Sequence, residues 1–167
     1  DLITVPQAAS INDLVTISLF AWIYPTGWGE GGYGRIFDKA QKTLLTNNTD
    51  VPLASLNFQH AFSVGGGNWY TPANSLVLNT WQFVGVSYNN SDVANVPLMT
   101  INGVSQVITS TQPTGVASAD AASDLIVGNN ATATRSYAGI IGEGLLYDRE
   151  SLVAEHQAIY FLTKGRY

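Results

Sequence analysis

The acids and histidines are the first side chains to weigh for chemistry: the chain has twelve Asp and Glu, two His and no Cys. Without cysteine there is no disulfide, no thiolate metal site and no thiol nucleophile. Glycoside hydrolysis needs two carboxyl groups facing one bond, about 5–5.5 Å or about 6.5–9.5 Å apart. Alternate residues of a strand share a face, so the expected signature is a Glu-x-Asp-x-Glu run. No such run occurs, and the nearest acids to one are Glu143, Asp148 and Glu150. Their spacing puts Glu143 and Asp148 on opposite faces of a strand, with Asp148 and Glu150 at a strand-to-helix turn. His60 lies in a strand among Phe58, Gln59 and Phe62, and His156 on the packed face of a helix. No Gly-x-Ser-x-Gly elbow marks a nucleophile. These patterns point away from catalysis.

Binding is the other use of such residues. A sugar has apolar C–H faces and polar edges, gripped respectively by aromatic rings and by amides and carboxylates. Two glycine-rich stretches carry large rings: WGEGGYG holds Trp28 and Tyr33, and GGGNWY holds Asn68, Trp69 and Tyr70. Those five are the candidate ligand-binding residues, because rings among glycines have little around them to bury them. The competing reading is that the tryptophans cover an edge of the fold, since Trp is highly buried on average. WGEGGYG is not a phosphate loop, because no Lys-Ser/Thr follows it and no helix opens behind it. A calcium ion takes oxygen ligands; Asn89, Asn90 and Asp92 form one rim cluster of that kind, with Glu30 isolated. No EF-hand pattern is present, and an Asn-rich turn is commonly only a turn. No metal or other cofactor is required. Asn-x-Ser/Thr sequons at Asn47, Asn89 and Asn130 matter only in a eukaryotic secretory context.

Composition narrows the partner. Charged residues are 11% of the chain, the net charge is -5, and the seven Lys and Arg are scattered, which argues against nucleic acid. The polar surface is left to Asn, Thr, Ser and Gln, whose neutral hydrogen bonds suit a sugar. No apolar run approaches the roughly 20 residues of a membrane span, and no signal peptide is visible. A length of 167 residues implies one domain, 1–167, able to bury a core without covalent staples. The chain starts at Asp1 rather than Met, which suggests a processed chain or a piece of a longer one with further domains.

The elements that must position these residues are mostly strands. Residues 15–24 alternate, with Val15, Ile17, Leu19, Ala21 and Ile23 on one face and Thr16, Ser18, Phe20, Trp22 and Tyr24 on the other. Pro25 ends the run. The aromatic face needs a cover, which the closing helix or a long loop would supply. Further strands are expected at 35–39, 41–46, 55–64, 81–88, 124–128 and 137–147. Asn102-Gly103 turns a hairpin between 98–101 and 104–107. Residues 109–123 lack a period and are expected to be a long loop. Ser151 is the expected cap of a single helix, with Leu152, His156 and Ile159 on one face, ending near Thr163 and Lys164. The expected core is Val15, Ile17, Leu19, Ile23, Val84, Val86, Tyr88, Ile101, Leu125, Val127, Ile141 and Tyr147. The pattern implies an all-β, two-sheet antiparallel sandwich with one short C-terminal helix.

Several stretches resemble a known family in order and spacing across roughly residues 14–160. ISLFAWIYP (Ile17 to Pro25), RIFDK (Arg35 to Lys39), TWQFVGVSYNN (Thr80 to Asn90), LMTINGV (Leu98 to Val104), DLIVGN (Asp124 to Asn129) and YAGIIGEGLLYDRE (Tyr137 to Glu150) resemble laminin-G-like domains of the concanavalin A-like lectin/glucanase superfamily. The resemblance implies a jelly-roll sandwich. One departure is Gly142, where the family's last strand usually carries aspartate before the glutamate. The function implied is a non-catalytic, lectin-like carbohydrate-binding domain at an extracellular or virion surface. The alternative is a structural or adhesive domain of a virion, tail fibre or surface protein that mediates protein contacts. A glycoside hydrolase or lyase is the third reading. Several relatives bind calcium at the sandwich rim.

Overall fold

Period-two alternation builds two antiparallel sheets that share one apolar interior. The computed structural model describes all 167 residues. The strands are β1 (Ile3–Val5), β2 (Thr16–Pro25), β3 (Arg35–Lys39), β4 (Lys42–Asn47), β5 (Ser55–His60), β6 (Gly67–Tyr70), β7 (Gln82–Asn89), β8 (Leu98–Ile101), β9 (Val104–Ser105), β10 (Thr109–Thr111), β11 (Leu125–Val127) and β12 (Gly139–Tyr147). One α-helix, α1 (Val153–Thr163), follows. The seven-stranded sheet runs β1-β11-β3-β4-β5-β6-β10, and the five-stranded sheet runs β12-β2-β7-β8-β9. At Asn102-Gly103 both residues adopt positive φ, 52° and 74°, as the β8–β9 hairpin turn requires.

Between the sheets, Leu19 and Ile23 of β2 and Val84, Val86 and Tyr88 of β7 meet Leu44, Phe58 and Trp69 in an 18-residue cluster. Each such side chain contributes roughly 1.5–3 kcal/mol by leaving water. The expected core is largely found here. Val15 is the exception: it precedes β2 and is 53% exposed. Tyr147 also departs from expectation, because it lies on the other side of its sheet, beneath α1.

That other side is where α1 docks. Phe20, Trp22 and Phe83 form a second buried cluster, closed over by Ile159 and Tyr160. Trp22 Nε1 donates to Thr163 Oγ1 at 2.8 Å. Gly85 makes the approach possible, since a Cβ there would sit 2.7 Å from the Phe20 ring and 3.0 Å from His156 Nδ1. Ser151 does not cap the helix. Its backbone N–H donates to Ser18 Oγ at 2.9 Å, and the Glu155 carboxylate takes the Leu152 N–H at 2.8 Å. Leu152 turns out to solvent instead of packing with His156 and Ile159.

Three elements run against the sequence expectation. β1 and β10 are extra strands, three residues each, and β10 falls inside the stretch expected to be loop. β6 is a strand where GGGNWY reads as a loop. The sheet edges are short: β1, β10 and the two-residue β9 form three of them. The fourth, β12, is nine residues long, but its register breaks between Ile141 and Gly144. The Glu143 N–H within that break donates to Tyr167 Oη at 2.8 Å.

Candidate functional site

The outer face of the seven-stranded sheet carries no helix, and its register aligns polar side chains from strands distant in sequence. One row is Asp38–Thr43–Gln59–Asn68–Thr111, crossing β3, β4, β5, β6 and β10. The next is Arg35–Leu45–Asn57–Tyr70–Thr109. Alternation puts Phe37, Leu44, Phe58 and Trp69 on the inner face and these residues on the outer one. At one end the first row opens into a hollow of about 220 Å³ lined by Gln41, Thr43, Gln59, Gly66 and Asn68, among others.

The polar groups on this face are tethered but not all satisfied. Arg35 Nε lies 3.4 Å from Asp38 Oδ2, and its Nη1 reaches Gln59 Oε1 at 3.5 Å. Burial lowers the Arg35 pKa and raises that of Asp38, and in each case the partner's charge offsets part of the shift. Asn57 donates to the Trp69 carbonyl at 3.1 Å, while its buried Oδ1 has no partner. At the other end of the face Tyr33 Oη donates to Asp50 Oδ2 at 2.9 Å, and Arg135 lies 5.5 Å over the Tyr33 ring. Burial and then the Asp50 carboxylate push the Tyr33 and Tyr70 hydroxyls up in pKa.

The five sequence candidates therefore separate. Asn68 and Tyr70 share the outer face, and Tyr33 is held by Asp50. Trp69 does not belong with them: it is 0% exposed and packs between Phe58 and Tyr88. Gly67 provides the room, because a Cβ there would lie 2.1 Å from the Trp69 ring. The glycine beside this tryptophan buries the ring rather than baring it. Trp28 is half-buried and rests against the main core, a wall rather than a platform. Its loop turns through Gly29 at φ 79°, a conformation costly for other residues.

Asn89, Asn90 and Asp92 do not form a fit set of calcium ligands. Asn89 Oδ1 and Asp92 Oδ1 accept the N–H groups of Ser91 and Ala94 within the turn. The Asn90 amide points inward, to the Leu14 carbonyl and His60 Nε2. Of the sequon residues, Asn47 is buried, its Nδ2 held by Asp50, Pro52 and Ser55. Glu143 pairs with Arg166 at 2.8 Å. His60 and His156 are both buried and structural. His156 bridges the Ser87 and Thr100 hydroxyls at 2.7 and 2.8 Å. Arg35, Asp38, Asp50 and Gln59 were not among the sequence candidates. Strict alternation would put Arg35 and Asp38 on opposite faces; a register shift between Arg35 and Phe37 brings them to one side, and the rows appear only once the strand order is known.

A family model described as the concanavalin A-like lectin/glucanases superfamily matches residues 1–155. No curated protein sequence matches the chain. Among solved structures, one similar fold is a Bacteroides ovatus protein provisionally assigned to carbohydrate binding, with TM-score 0.70 and 14% identity over 93% of this chain and 43% of that one. The binding domain of botulinum neurotoxin serotype G gives TM-score 0.67 and 12% identity over 98% of this chain and 41% of that one. Domains LG4-5 of the mouse laminin α1 chain give 0.60 and 15% over 92% and 40%. The chain thus spans less than half the length of these three structures.

Proposed function

The chain belongs to the concanavalin A-like lectin/glucanase superfamily, in its laminin-G-like branch, and from that premise we propose that it is a non-catalytic, lectin-like domain that takes a glycan on the outer face of its seven-stranded sheet. The observation that carries this is the pair of largely polar rows, the second of which includes Tyr70, with Tyr33 at one end. Asp38, Thr43, Leu45 and Asn57 are buried, so the donors and acceptors within reach come from Gln59, Asn68, Thr109 and Thr111 on β5, β6 and β10, and the tyrosines supply rings at one end. The rows contain a single acid, Asp38, tied to Arg35, so the paired carboxylates of glycoside hydrolysis have no source there. The carbohydrate-binding and receptor-binding descriptions of similar structures support the same reading, and that reading places the domain at an extracellular or virion surface.

A glycan array on the isolated chain, followed by titration of any positive glycan, tests it. Tyr70→Ala and Gln59→Ala should each weaken binding several-fold to about tenfold, on the order of 1 kcal/mol. A chelator should leave affinity unchanged, because the only acid of the rows, Asp38, is already tied to Arg35. Affinity equal to the parent's in both variants would sink the assignment of this face. Exposed Val104, Val107, Phe161 and Leu162 favour a second reading, an adhesive domain contacting protein. A blank array together with a protein ligand that protects α1 from proteolysis would select it.

A further inference from the structure

One cluster of reactive groups has no part in the proposed binding face. Beside the β3–β4 turn, Lys39 and Lys42 pair across the two strands and point inward, each side chain only 3% exposed. Lysine is rarely so buried. One fully buried carboxylate, Asp120, serves both: Oδ1 lies 3.4 Å from Lys39 Nζ, and Oδ2 takes Lys42 Nζ. The third participant is the carboxamide of Asn12, whose Oδ1 lies 3.0 Å from Lys39 Nζ. Asp13 latches that segment to the acid's loop, donating its N–H to Asp120 Oδ1 at 2.8 Å and accepting the Asp120 N–H at 2.6 Å. A buried lysine and a buried carboxylate thus meet the carboxamide of a half-buried asparagine.

We propose that Lys39 and Asn12 become joined by an intramolecular isopeptide bond, with Asp120 moving the protons. Lys39 gives an ammonium proton to Asp120, and the free amine attacks Cγ of Asn12. The new N–C bond forms as the carbonyl π pair moves to Oδ1. Asp120 passes its proton to the amide nitrogen. The carbonyl re-forms, and the old C–N bond breaks with its electron pair on the departing ammonia. The attacking nitrogen's surplus proton goes to that ammonia, so ammonium leaves and Asp120 is again ionised. Nothing is oxidised or reduced. Asn12 is only half-buried, so the leaving group has a way out. Held contact replaces a bimolecular encounter, and one turnover per molecule is enough. The geometry also selects the partner. Burial alone would raise Asp120, but Lys42, the Asp13 N–H and Lys39 hold it below the usual carboxylate range. An ionised carboxylate is a poor electrophile beside a neutral amide, so Lys42–Asp120 stays an ion pair.

The test is the intact mass of the full chain with a peptide map. The parent should weigh about 17 Da, one ammonia, less than its sequence mass, and digestion should yield one peptide pair joined through Asn12 and Lys39. Asn12→Ala, a change in a half-buried segment, and Lys39→Arg, which keeps the charge, should both show the full mass. The full mass in folded, long-incubated parent protein would overturn the proposal. So would a deficit of about 18 Da mapping to Lys42 and Asp120. A deficit of about 17 Da that persists in Asn12→Ala would also overturn it, since ring closure at Asn102-Gly103 gives the same loss.

Discussion

Trp69 and Tyr70 are neighbours in sequence and opposites in role. Trp69 stacks on Phe58 at 5.8 Å and lies 4.8 Å from Tyr88. Trp69→Ala should therefore cost about 3–5 kcal/mol, lowering the melting temperature by roughly 10 °C in a domain of this size. A thermal melt within about 2 °C of the parent's would contradict its place in the core. The contrast with Tyr70 was open to the sequence, though only on one reading. Taken as a loop, GGGNWY makes both rings look exposed. Taken as a strand, it puts Gly67 and Trp69 inside and Asn68 and Tyr70 outside, because adjacent residues face opposite ways. Val15 fails for the related reason that alternation does not say where a strand begins.

The aromatic face of β2 shows what one element does for another. Phe20, Trp22 and Phe83 would be a wet apolar surface without α1, and the sequence could say that something must cover them. It could not say how closely. The helix reaches the sheet because Gly85 has no side chain. Gly85→Ala should push His156 and α1 outward while leaving the core between the sheets intact. Hydrogen exchange should show α1 amides losing protection, with β2 and β7 amides still slow, and stability should fall by roughly 1–3 kcal/mol as overpacking does. Unchanged exchange in α1 would refute the close approach. β1 and β10 escaped the sequence because three-residue strands are too short for a period to show.

For the molecule as a whole, the buried histidines should make the sandwich sensitive to mild acid. Burial lowers both His60 and His156 to about 4, and nearby Lys42 adds to the effect at His60. Their folded values lie below the unfolded one, so the unfolded chain binds more protons between them. Stability should then be full above about pH 6.5 and fall as pH drops toward about 4, by on the order of 3 kcal/mol for each histidine. Urea melts at about pH 7 and about pH 4.5 would read this, and His156→Gln should remove part of the drop. A flat profile would mean that the rings are not held neutral. The sandwich itself was legible because each long strand repeats the same inside–outside alternation. The candidate face was not: Asp38, Thr43, Gln59, Asn68 and Thr111 span residues 38 to 111 and form a row only through pairings that no local pattern encodes.

The way the sheets end bears on how such domains can live beside one another. An open strand invites a neighbour's backbone to add to it. Here three of the borders offer two or three residues, and the long one is broken at Glu143, where a tyrosine hydroxyl already occupies an N–H. Copies crowded on a surface, or strung along one polypeptide, would find little backbone to zip together. Each would keep its own polar face free, so many weak contacts with a repetitive ligand could add up without the domains fusing into a shared sheet.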